Sequence, residues 1–226
     1  MILGFSMDAK KFLDQDPPLL LHAHAATFTI WMFLLTAQLL LVLKNRIDIH
    51  RKLGWFLVFW ACLMGIMGPV GVYTAVRMMA KVHGPFPYPF ITVHVVDIGG
   101  FLLLLAIGIA MRKNAAAHKR MMILSTVALA DPGFARMLDH LIHGNFIPAF
   151  MSPHPPTAFV WFLCVFNGNI LLVALMLGWD WWKGRLIRSH VIASVLLIAS
   201  MYLASVIYFM PSWQALTLEW VTAWTK

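Results

Sequence analysis

The chain has 226 residues, of which 17 are basic, 9 are acidic and 61% are hydrophobic. Soluble domains carry charge on about a quarter of their residues; here 12% are charged and mean hydropathy is +0.80, which excludes a water-bounded globule, a disordered tail and a disulfide-stapled secreted module. The net charge of +8 sits in short loops between apolar runs, so it speaks for membrane topology and excludes a nucleic-acid partner.

From the N-terminus, MILGF is too short for the apolar region of a signal peptide, and Lys10 and Lys11 follow it instead of preceding it. Asp8, Asp14, Asp16 and the Pro17-Pro18 pair predict a short surface segment. A helix crossing the hydrocarbon core needs about 20 apolar residues. Six stretches satisfy this: about 23–43, 54–76, 91–111, 121–140, 157–178 and 190–209. None alternates with the period of a barrel strand. The expectation is an all-α integral membrane bundle of six transmembrane helices forming one domain over 1–226. The tail 211–226, beginning PSWQALTLEWVTAW, is expected to form an amphipathic helix on the outer leaflet.

Lys44, Arg46, Arg51 and Lys52 follow span 1; Arg112, Lys113, Lys119 and Arg120 follow span 3; Lys183, Arg185 and Arg188 follow span 5. The positive-inside rule makes that side cytoplasmic and puts both termini outside. Tryptophans at the span ends (Trp179, Trp181 and Trp182 inside, Trp213, Trp220 and Trp224 outside) agree. Cys62 and Cys164 lie inside apolar runs and behave as small hydrophobes.

Spans 1–2 and 3–4 read as copies of one hairpin. Each starts near an outer histidine, His24 or His94, and re-enters the membrane at His50-Arg-Lys or His118-Lys-Arg. Arg188-Ser189-His190 starts span 6 in a similar way, as a degenerate third copy. Polar groups inside spans are costly and usually face a partner in the bundle. An Asp97–Arg136 pair between spans 3 and 4 is expected, with Asp131-Pro132 at a kink and Asn167 and Asn169 bonding across helices. Helical spacing gathers His24, His94, Asp97, Arg136, Asp139, His140 and His143 into an outer pocket, with His22 beside it.

Three chemistries suit these histidines. The first is a pair of b-type haems, with His24 and His94 as axial ligands outside and His50 and His118 inside. Arg51, Lys52, Lys119 and Arg120 would hold the inner propionates, and Arg136 would hold an outer propionate or pair with Asp97. The outer pair is favoured, because His50 and His118 lie at the membrane edge. The second is a non-haem zinc, copper or iron site built from His22, His24, His94, Asp97, Asp139, His140 and His143, acting on a lipid or small molecule. In the third the chain binds no cofactor and serves as a structural or assembly subunit of a larger membrane complex, its basic loops held by anionic lipid.

The layout of spans 1–4 resembles the ascorbate-reducible transmembrane b-type cytochromes. That resemblance implies electron transport across the membrane, with a quinone or a redox protein as partner. A second resemblance rests on His50-Arg-Lys-Leu-Gly54 and on His118-Lys-Arg-Met-Met-Ile-Leu-Ser followed by Arg136. These are similar to the His-Arg-x-x-Gly and His-x-x-Trp-Met-x-Arg-Ser signatures of an uncharacterised family of bacterial multi-span membrane proteins. Met121 and Leu124 replace that family's tryptophan and arginine. The likeness covers about 44–140 and implies a bacterial inner-membrane protein in which His118 and Arg136 share a role.

Overall fold

The computed structural model describes residues 17–141 and 157–225. Among these the chain is helical, with no strand: α1 is Leu19–Leu43, α2 Ile47–His83, α3 Ile91–Ala110, α4 Ala115–Val127, α5 Asp131–Leu141, α6 Ala158–Val165, α7 Asn167–Trp182, α8 Arg188–Tyr208 and α9 Pro211–Thr225. Four of them, α1, α2, α3 and α8, are long and apolar enough to cross a membrane. Backbone groups in lipid must be satisfied within the segment, which is why uninterrupted apolar runs become helices.

Spans 4 and 5 of the sequence are each broken in two, the first at the expected kink and the second without warning. α4 and α5 are bent by 51° and α6 and α7 by 70°. The first break falls where Asp131-Pro132 interrupts the ladder, as the proline leads one to expect. The second falls at Phe166, ahead of Asn167-Gly168-Asn169. The breaks are packed together. Asn169 donates from Nδ2 to the carbonyl of Val127 at 2.8 Å. A Cβ on Gly168 would sit 2.2 Å from the ring of Phe134, so only glycine lets α5 and α7 approach this closely.

α1 packs on α2, α3 on α4, and α8 against α3, α4 and α6. Their common core holds Trp31, Leu57, Met64, Phe101, Met121, Leu124, Trp161, Phe166 and Met201. Many large apolar side chains face outward all round the bundle, among them Phe33, Phe59, Ile66, Leu103, Leu171, Leu196 and Leu203. Such a surface is lipid-facing by nature, since water would not tolerate so broad an apolar skin. Trp179, Trp181 and Trp182 stand exposed beside the basic loops, and the Lys183 ammonium lies 4.1 Å from the Trp182 ring centre, an arrangement suited to a headgroup zone.

The tail helix α9 is partly internal. Thr217 and Val221 are fully buried, and Val221 packs with Val76 and Ala80 of α2. Trp213 donates from Nε1 to the Pro89 carbonyl at 3.1 Å, and the backbone N–H of Tyr88 donates to Thr217 Oγ1 at 3.2 Å. These bonds dock α9 on the 84–90 segment that leads into α3.

Candidate functional site

The ionisable groups fall into three clusters. At the end with the basic loops, His50 on α2 and His118 on α4 face each other with ring centroids 6.3 Å apart and planes at 85°. Local chemistry fixes His118. Asn114 caps α4 by accepting from the backbone N–H of Ala117, and one turn further His118 Nδ1 meets the carbonyl of Gly108 at 2.8 Å. Gly108 permits this, because a Cβ there would lie 3.1 Å from Met121 Cβ. With Nδ1 bound to a carbonyl it carries the hydrogen, and Nε2 is left with its lone pair, the presentation metal-binding histidines adopt. The backbone carbonyl of His50 accepts from Gln38 Nε2 at 3.2 Å, and His50 Nδ1 is buried without a partner.

Two imidazoles that shared one metal, with bonds of about 2.0 Å and about 1.1 Å from nitrogen to ring centre, would have centroids up to about 6 Å apart. The His50–His118 spacing fits. Among the described residues no three His, Cys, Asp or Glu side chains converge to hold a bare ion. A bare zinc ion takes three or four protein ligands. A two-histidine set suits iron that brings its other four ligands in a macrocycle.

The second cluster was missed in the sequence. Arg120 forms a two-pronged ion pair with Asp180, with Nε on Oδ2 and Nη2 2.7 Å from Oδ1. Two further hydrogens go to the carbonyls of Ala116 and Arg185. His190 Nδ1 adds a bond of 2.8 Å to Asp180 Oδ2, and His190 Nε2 is buried without a partner. All three residues are buried. Arg120 is thereby committed, so it is unavailable for the propionate expected of it. The signal was an aspartate among the tryptophans Trp179, Trp181 and Trp182, a charge at a span end.

The third cluster is at the opposite end, where the sequence placed the outer pocket. His24 Nδ1 lies 2.8 Å from the carbonyl of Met67, and its ring fills the space a Cβ on Gly71 would need. His94 turns Nε2 to the Tyr88 hydroxyl at 3.3 Å, and its ring packs on Phe90. Arg136 is near enough for its charge to act on His24, Tyr88, His94 and Asp131, and its Nη1 donates to the Pro132 carbonyl at 3.0 Å. Outside the spanning helices, burial pushes the Tyr88 phenol up to about 12.

Asp97 meets Asp131, and this corrects the expected Asp97–Arg136 pair. Both carboxyls are buried, at 4% and 3% exposure, and each is near enough to act on the other.

The expected metal set is not assembled among the described residues. His22 points its Nδ1 toward the Pro18 carbonyl of its own helix at 3.4 Å, at the surface. Asp139 is half-buried and His140 exposed at the end of α5. His143 lies outside the described residues.

Fold and clusters together define an all-helical membrane protein with ionisable groups at both ends of its bundle. Compared with known protein families, curated proteins and solved structures, the chain finds no match.

Proposed function

We propose that the chain is a b-type cytochrome-like electron carrier of the membrane, in which His50 and His118 would hold one haem b. The observation that carries this reading is the pairing of those two rings, 6.3 Å apart at 85° on different helices. Bound haem would supply a one-electron iron couple. The chain would do the rest. His118, its Nδ1 tied to Gly108, presents a ring of fixed orientation. Arg51, Lys52 and Lys119, all exposed beside the pair, offer cations to carboxylate side groups. The basic loops at that end support a cytoplasmic position for it in a bacterial inner membrane, which would leave both termini outside, with six spans if each bent pair counts as one. A quinone or a redox protein would exchange the electron.

The weight moves from the outer pair to the inner one, because Tyr88 engages His94 Nε2. Protein purified from haem-replete cells is expected to show a Soret band and a pyridine haemochrome near one per chain. His50→Ala and His118→Ala should each abolish both signals, while His94→Ala should keep them. Colourless wild-type protein refutes the proposal, and loss of colour in His94→Ala with retention in His118→Ala refutes the choice of ligands.

A further inference from the structure

Three histidines stand near the start of a helix at the basic end, and two of them are held by one rule. His118 Nδ1 meets the carbonyl of Gly108, ten residues earlier, at 2.8 Å. His190 Nδ1 meets Asp180 Oδ2, also ten residues earlier, at 2.8 Å. Each acceptor belongs to the last turn of the helix before the histidine, α3 or α7. His50 has the same place in α2, but its Nδ1 is buried without a partner.

The residue that reaches back to His50 is Gln38, twelve residues earlier near the end of α1, whose Nε2 donates to the His50 backbone carbonyl at 3.2 Å. A Cβ on Gly54 would stand 3.6 Å from that Nε2, so the amide lies against the first turns of α2. Gln38 is 6% exposed, and its Oε1 is buried without a partner too. The bond from Nε2 fixes which way the amide is turned, because a carbonyl accepts only from the nitrogen end. Two residues already in contact therefore each keep one buried polar atom in reserve. Oε1 is an acceptor, and Nδ1 is a donor in one tautomer. Buried polar groups are paired as a rule, and the torsions that would join these two, at the ring and at the amide, are broad and soft.

We propose that Gln38 is the positioning residue of His50: its Oε1 accepts the Nδ1 hydrogen and fixes the ring as the Nδ1–H tautomer, with the lone pair on Nε2. Gln38 does for the first hairpin what the Gly108 carbonyl does for the second. Both acceptors are neutral amide oxygens, unlike the Asp180 carboxylate, so His50 and His118 are held alike. An acceptor behind a histidine sets its tautomer, orientation and basicity. The tautomer is a property of the chain alone; that it readies His50 for iron rests on the haem reading.

Nitrogen-15 NMR of the full chain, labelled at histidine, made in haem-depleted cells and held in lipid nanodiscs, tests it at pH 8, where an ordinary imidazole is neutral. The His50 signal is the one lost in His50→Ala. In the wild type it should report Nδ1–H. Gln38→Leu should switch it to Nε2–H, the form a free imidazole prefers. Gln38→Glu should keep Nδ1–H, because a carboxyl retains the acceptor oxygen whether ionised or not. His118 should stay Nδ1–H throughout, and a change there identifies a variant that has lost its fold. Nε2–H at His50 in the wild type overturns the proposal, as does Nδ1–H persisting in Gln38→Leu. A switch in Gln38→Glu with His118 unchanged also overturns it, since the bond to the His50 carbonyl would then do the positioning. None of these results depends on haem, and colourless wild-type protein leaves them in place.

Discussion

Removal of Asp180 tests the buried ion network at the basic end most directly. Arg120 and Asp180 have side chains 6% and 12% exposed, so neither charge is well hydrated. In Asp180→Ala the guanidinium keeps only its bonds to the carbonyls of Ala116 and Arg185, and His190 Nδ1 loses its acceptor. Stranding one member of a buried pair costs about 3–5 kcal/mol. Taking the charge away from both sides should restore much of this. In Arg120→Met with Asp180→Ala the remaining defect is the unpaired imidazole, worth about 1–3 kcal/mol. Equilibrium unfolding in mixed micelles, followed by circular dichroism, measures both quantities. The single variant should therefore be less stable than the double one. A loss below about 1 kcal/mol, the range of exposed pairs, would show that the network is solvated, and failure of Arg120→Met to rescue would show that the cost has another source.

Three more outcomes follow from the geometry. Gly168→Ala places a Cβ 2.2 Å from the Phe134 ring and should cost about 1–3 kcal/mol by overpacking, whereas Gly178→Ala, with nothing within 4 Å, should be neutral in the same assay. Asn169→Ala deprives the Val127 carbonyl of its side-chain donor and should cost about 1–3 kcal/mol, with faster amide exchange around the break. Tyr88 is raised to about 12 from an unfolded value of about 10, so the folded state holds that proton more firmly. Its contribution is complete below pH about 10 and is lost as pH rises toward 12; Tyr88→Phe should flatten that segment of the stability profile, and an unchanged profile would count against the burial.

The long helices were legible because hydrophobic runs of span length leave the backbone one solution in lipid. Asp131-Pro132 announced one break, since proline removes a donor that the ladder needs. The other was hidden. Asn167 and Asn169 read as polar glue, and the close approach that Gly168 permits depends on Phe134, some thirty residues earlier. The pairing of Asp97 with Arg136 was misjudged for a similar reason. Depth along a helix is readable from residue counts, while rotation about its axis is set by packing. His50 and His118 were correctly placed at one level and do meet. Asp97 and Arg136 were also placed at one level, yet the bend in span 4 turns Asp131 to Asp97. The docking of α9 was unreadable because Thr217 and Val221 are unremarkable residues whose burial depends on α2 extending past the length a span requires.

The three histidines at the basic end now separate by what holds them. His118 and His190 both have Nδ1 bonded to an oxygen, a carbonyl in one case and the Asp180 carboxylate in the other. The second acceptor is charged and already paired with Arg120, so His190 is locked into a structural network. His118 has a neutral acceptor and another imidazole across from it. A carboxylate that is shared with a guanidinium polarises an imidazole less than a free one would. The likeness in sequence of His50-Arg-Lys, His118-Lys-Arg and Arg-Ser-His190 therefore conceals two uses of one element. Two copies turn their rings toward each other at the mouth of the bundle, and the third ties α7, α8 and α4 together beneath them.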